Sequence, residues 1–83
     1  MEMLFFTMKD CVPCLKMKEF INDLPIKVTT IDAEEDSALA EKYGIQSVPV
    51  LVFLNKETER GRLIGGKNKR AVERFIMENS SGL

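Results

Sequence analysis

The chain has 83 residues, 45% hydrophobic and 30% charged, with three prolines and five glycines; this describes one small globular domain and excludes a disordered or collagen-like chain. Its 13 acidic and 12 basic residues give a net charge of −1 with the signs interspersed, so neither a nucleic-acid partner nor an anionic membrane surface is expected. The start of the chain has no basic region and too short an apolar run for a signal peptide, and no stretch approaches the ~20 apolar residues of a membrane span, so a cytoplasmic location is expected.

Met3, Leu4, Phe5 and Phe6 are apolar at every position, the pattern of a strand covered on both faces. A short polar connection over 7–10 leads to a helix predicted from Cys11 to about residue 22. Cys14, Leu15, Met17 and Ile21 form its apolar stripe with Phe20 beside them, while Lys16, Lys18 and Glu19 fall mainly on the solvated face. Pro13 lies in the first turn, where a missing N–H costs nothing, and Asp23 and Pro25 end the helix. The β-branched stretch 26–31 reads as a second strand. After the acidic loop 32–36, Asp36 or Ser37 caps a short helix through Tyr43, with Gly44 at its exit.

Residues 50–54 form another fully apolar strand, followed by a polar turn over 55–59 and an edge strand around 61–64. Gly65 and Gly66 break the chain, and Asn68 caps a last helix whose apolar face is Ala71, Val72, Phe75 and Ile76. Residues 80–83 read as a frayed tail. Met3, Met8, Met17 and Met77 read as filler of the core or its margin. The order is a βαβ unit, a further helix, a hairpin and a covering helix. Its crossover is right-handed, and its site falls at the carboxyl end of the first strand.

Cys11 and Cys14 are the only cysteines, separated by Val12 and Pro13. That gap sets both sulfurs at one helix start, where they join or part with little backbone motion. The orphan N–H groups and the positive end of the helix dipole there stabilise a Cys11 thiolate. So small a loop gives a structural disulfide little to stabilise, so a reactive pair in a reducing compartment is expected. Zinc is the rival: a structural site takes four ligands, and the chain has no His and no further Cys, which leaves only a site shared between molecules.

Together with residues further along, the pair resembles the thioredoxin/glutaredoxin superfamily over nearly the whole chain. Pro13 before the second cysteine is similar to the thioredoxin-type C-x-P-C. Tyr43, Gly44, Ile45 and Pro49 match the family's Y-G-I-x-x-x-P stretch, and Ile64-Gly65-Gly66 resembles the glycine segment that opens its substrate groove. The plainer readings are an ordinary edge-strand proline at Pro49 and a simple turn at Gly65-Gly66.

The resemblance implies a minimal thioredoxin fold of the α/β class: a four-stranded mixed sheet in the order second, first, third, fourth, with three helices. The last two strands are antiparallel, and the extra N-terminal strand and helix of full-length thioredoxins are missing. It implies a thiol-disulfide oxidoreductase that reduces protein disulfides, with Cys11 as nucleophile and Cys14 as resolving cysteine. It places Val12, Pro13, Val48, Pro49, Gly65 and Gly66 along the substrate groove, with Pro49 cis and facing the cysteines. It implies no metal and no bound organic cofactor. Electrons come from thioredoxin reductase and NADPH or from glutathione. The partners are disulfide-containing proteins, ribonucleotide reductase being a frequent client of the family, and a monomer is expected.

Some positions depart from the family pattern. Asp10 stands where thioredoxins usually carry Trp, their buried first-strand carboxylate falls at Phe5, and its lysine partner falls near Val28. Glutaredoxins have an aromatic where this chain has Val12 and Pro13, and acidic glutathione contacts near Asn68 and Lys69. Ser47-Val48-Pro49 and the short length lean towards glutaredoxin. A glutathione-dependent glutaredoxin and a redox-inactive docking module on the same fold are therefore the alternatives.

Overall fold

The computed structural model describes residues 1–81. The elements follow as β1 (Glu2–Thr7), α1 (Val12–Lys18), a 3-10 turn (Ile21–Asp23), β2 (Lys27–Asp32), α2 (Ser37–Lys42), β3 (Val50–Asn55), β4 (Thr58–Ile64) and α3 (Lys69–Ser80). The sheet order is β2-β1-β3-β4, with β1 parallel to β2 and antiparallel to β3, and β3 antiparallel to β4. This is the mixed four-stranded, thioredoxin-like α/β arrangement that the resemblance implied.

β1 and β3 are apolar throughout because both occupy the middle of the sheet and are covered on two sides. Side chains alternate across a strand, so each splits its apolar residues between two cores. Met3 and Phe5 join Leu51 and Phe53 beneath Cys14 and Met17 of α1 and Val72, Phe75 and Ile76 of α3. Leu4 and Phe6 join Val50, Val52 and Leu54 beneath Ala40 of α2. Phe53 and Phe75 meet edge to face with centroids 6.2 Å apart, and Phe6 meets Tyr43 at 5.9 Å. Each fully buried aliphatic or aromatic side chain contributes roughly 1.5–3 kcal/mol to such a core.

The helix caps act as the sequence predicts. Asp36 Oδ1 accepts from the Leu39 N–H at 3.2 Å, and Asn68 Oδ1 accepts from the Ala71 N–H at 2.8 Å. Gly44 follows α2 with φ +64°, the left-handed conformation that suits glycine there.

Three boundaries differ from expectation. α1 stops at Lys18 instead of reaching residue 22. The Glu19 N–H bonds to Lys16 O and the Phe20 N–H to Met17 O, both three residues back, so the helix tightens and ends. The tightening lets Ile21 and Leu24 turn into the core. Leu15 is not in the stripe and is 55% exposed, because Cys14, Met17 and Ile21, spaced by three and four, define the buried face, and Leu15 lies about 200° around from Met17. β4 begins at Thr58 because the turn contracts to Lys56 and Glu57, both left-handed at φ 50° and 68°. The register shifts at Phe53/Leu54, where Phe53 faces Gly61 and Leu54 faces Glu59. Ser80 belongs to α3, its hydroxyl donating to Ile76 O at 2.7 Å; residues 82 and 83 of the expected tail lie outside the described residues.

Candidate active site

The chain leaves β1 at Thr7 and turns through Asp10, whose φ of 60° is a left-handed conformation that Asp tolerates better than most residues. This turn delivers Cys11 to the N-cap of α1 in extended geometry, φ −95° and ψ 104°. Its carbonyl accepts the first helical bond from the Leu15 N–H at 3.0 Å. Its Sγ accepts from the Cys14 N–H at 3.2 Å, as a Ser or Asp cap oxygen would. Cys11 and Cys14 are joined as a disulfide with Cα atoms 5.2 Å apart. The two sulfurs are not equivalent: Cys11 is half-buried, and Cys14 is wholly buried in the core with Phe5 and Met17.

The other expected groove segments come to the same end of the sheet. The Val48–Pro49 bond is cis, as the resemblance implied. Val48 is half-buried between the two cores, and it packs against the same cluster as Cys11. Pro49 is fully buried and its carbonyl accepts from the Gly65 N–H at 2.9 Å, which extends the β3–β4 ladder by one step. Gly65 has φ +93°, open to glycine and strained for other residues. Gly66 lies against Pro13: a Cβ built on it would be 2.9 Å from the Pro13 Cβ. Pro13, Gly66, Gly65 and Pro49 are thus linked into one rim, with Val12 61% exposed at its outer side.

Among the described residues the core cluster around Cys14 contains no carboxylate. Phe5, at the position the family gives to a buried acid, is completely buried beside Cys14, and Val28 packs on the same cluster. Thr7 is the buried polar side chain among the described residues, and its Oγ1 has no hydrogen-bond partner there. Lys9 and Glu35 pair loosely at 3.7 Å with both side chains exposed. Among the described residues no group of three or more His, Cys, Asp or Glu is placed to hold a metal ion.

The sequence reading missed a groove of about 550 Å³ on the α1 side of this rim, lined by Pro13, Lys16, Phe20, Gly66, Lys67 and Lys69 among others. It also missed Arg62, whose Nη2 donates to the Tyr43 carbonyl at 2.8 Å and whose Nε donates to Glu59 at 2.7 Å. The bond to Tyr43 spans 19 residues of chain, and no local pattern announces it.

An extended cap cysteine, a buried second cysteine and a cis-proline rim on this mixed sheet define a thioredoxin-like protein with a dithiol–disulfide pair. The thioredoxin family model matches residues 3–78, and the chain belongs to that family. It is 28% identical over 75 residues to a thioredoxin of Chlamydia caviae, covering 84% of this chain and 74% of that one. It is 33% identical over 84 residues to an NADPH-dependent thioredoxin reductase 3 of Arabidopsis thaliana, covering 93% of this chain but only 16% of the reductase. A solved thioredoxin from Nicotiana alata superposes with a TM-score of 0.85 at 28% identity, covering 93% of this chain and 70% of that one. A solved thioredoxin of Halobacterium salinarum, at 24% identity, shares the fold with a TM-score of 0.88 over 98% of this chain and 75% of its own. These relatives and the C-x-x-C pair support disulfide oxidoreductase activity.

Proposed function

We propose that this protein reduces disulfides in other proteins by dithiol exchange, with Cys11 attacking and Cys14 resolving. The observation that carries this reading is the unequal exposure of two sulfurs already within bonding reach: Cys11 half-buried at the helix cap, Cys14 wholly buried. In the reduced protein the Cys11 thiolate attacks one sulfur of a substrate disulfide. A new S–S bond forms to Cys11, and the second substrate sulfur leaves as a thiolate and takes a proton. Cys14 then gives up its proton and attacks Cys11. The Cys11–substrate bond breaks, the substrate leaves with both thiols, and the protein keeps the Cys11–Cys14 disulfide.

The rim serves substrate binding in this reading. Val12, Pro13 and Gly66 present exposed surface to the substrate, Val48 lies half-buried against the cluster that holds Cys11, and the fully buried Pro49 holds Gly65 in place through its carbonyl. The Val48 backbone pairs with an extended substrate strand in the manner of an added β-strand. Two electrons pass per cycle, and thioredoxin reductase with NADPH restores the dithiol. The match to a protein named as an NADPH-dependent thioredoxin reductase supports that donor over glutathione. The clients are disulfide-bearing proteins in a reducing, cytoplasmic compartment, ribonucleotide reductase among the candidates.

The test offers the oxidised protein two donors in parallel, NADPH with thioredoxin reductase, and glutathione with glutathione reductase. NADPH consumption is followed with insulin as acceptor. Faster turnover through thioredoxin reductase is expected. Faster turnover through glutathione would make the protein a glutaredoxin, and no turnover with either would leave a docking module.

A further inference from the structure

The groove beside Pro13 has a charge that the net charge of the chain hides. Its apolar part is Pro13, Phe20 and Gly66, and its rim carries the ammonium groups of Lys16, Lys67 and Lys69 against one carboxylate, Glu19. The four charged lining groups sum to +2, whereas the whole chain carries −1. Arg70 follows in the first turn of α3, and the chain from Ile64 to Val72 carries no acid. On the far side of the cysteines the sign reverses. A smaller cleft of about 200 Å³ is lined by Val48 and Glu34, and Glu35 and Asp36 follow on the exposed loop, with Lys9 offsetting Glu35 at 3.7 Å. Asp10, exposed, directly precedes Cys11.

We propose that this groove is a specificity site that takes an acidic segment of the client polypeptide flanking the disulfide to be reduced. The proposal rests on the exchange reading above and names its substrate class. The apolar floor accepts the stems of Glu or Asp side chains while the three lysines meet their carboxylates. Pro13, at the groove's edge, adjoins Cys14 directly, so a segment seated there holds its own disulfide at the Cys11 sulfur. The acidic flank repels the same segment, so the charge pattern also sets the direction in which a client lies across the site.

Two synthetic peptide disulfides, alike except for flanking Glu in one and flanking Gln in the other, test this with the full chain. The rate of reduction by the dithiol protein is measured for each at low and at high salt. At low salt the Glu peptide is reduced about tenfold faster, and at ~1 M salt the excess falls below about twofold. Joint Lys16→Glu, Lys67→Glu and Lys69→Glu substitution brings the ratio to one or below. Lys67→Gln alone, in a loop outside every helix and strand, lowers it about twofold. Lys56→Glu, in the turn at the opposite end of β3, leaves it unchanged. A wild-type ratio near one, or a ratio that survives the triple reversal, overturns the proposal. Should neither peptide be reduced, the exchange reading fails, and the groove is decided separately by a cysteine-free Glu peptide added to the oxidised protein. Salt-sensitive amide shifts at residues 66–69 uphold it, and their absence overturns it.

Discussion

Gly66 and Pro13 stand so close that a Cβ on the glycine would come within 2.9 Å of the proline Cβ. Pro13 is rigid and sits between the two cysteines, so Gly66→Ala must shift either the C-x-P-C turn or the loop over 65–68 that packs on it. Gly61 offers a contrast, because a Cβ there would meet Asn79 Oδ1 at 2.5 Å, the far end of a side chain that can swing away. Its cost is the Asn79 Nδ2 bond to Phe75 O. Gly66→Ala is expected to destabilise by about 1–3 kcal/mol and to slow disulfide exchange, while Gly61→Ala costs about 1 kcal/mol and leaves exchange alone. Thermal unfolding and insulin reduction check both, at about 4–8 °C per kcal/mol for a domain of this size. Equal effects would show that the contact does not shape the site.

The cap geometry of Cys11 predicts an asymmetric pair of variants. Cys14→Ser keeps the attacking sulfur and loses the resolving one, so it accumulates a mixed disulfide with a peptide substrate that mass spectrometry detects. Cys11→Ser forms none.

Arg62 ties β4 to the end of α2 and predicts a pH signature away from the cysteines. Its hydrogen bonds hold the Glu59 carboxyl below its ordinary value of 4.5, against the opposing effect of burial. A lowered folded-state value means the pair stabilises above the ordinary carboxylate range, and that stability is lost as pH falls through the lowered value. Arg62 is pushed up by the same partner and stays charged throughout. Urea unfolding of Glu59→Gln should therefore show a deficit of about 0.2–1 kcal/mol at pH 7, closing in strong acid. Arg62→Met should cost more, because it also strips the donor from the Tyr43 carbonyl.

Thr7 is 3% exposed, and its hydroxyl meets no partner among the described residues. Thr7→Val keeps the shape, removes a buried polar group and suits a strand. It is expected to stabilise the fold by up to about 1–2 kcal/mol in urea unfolding. A loss of that size would show that the hydroxyl is bonded in solution.

Much of the fold was legible because its causes are local. Val50 through Leu54 reads as a central strand from its unbroken apolar run, and Asp36 and Asn68 cap helices with N–H groups three residues on. Cys11, Pro13 and Cys14 are legible for the same reason: a two-residue gap at a helix start brings both sulfurs within disulfide reach, and a chain with no His and no further Cys offers zinc no full ligand set. The errors arose where tertiary packing chose between local options. Leu15 has an apolar side chain on a helix, yet the sheet takes Cys14, Met17 and Ile21 and leaves Leu15 in solvent. The turn at Lys56 and Glu57 carries no glycine, and pairing of β3 with β4 draws both into left-handed geometry.

The amino-acid sequence by itself determined the dithiol, its place at a helix start after the first strand, the strand and helix pattern, and the caps, since each depends on residues within one or two turns of chain. Only the tertiary structure decided which distant segments meet. Closure of the sheet brings Gly66 against Pro13, carries the Arg62 guanidinium to Tyr43, and gathers Lys16 with Lys67 and Lys69 in one groove. Charges interspersed along the chain become a positive and a negative flank of the cysteines because spacing in sequence does not set distance in space until the strands have paired.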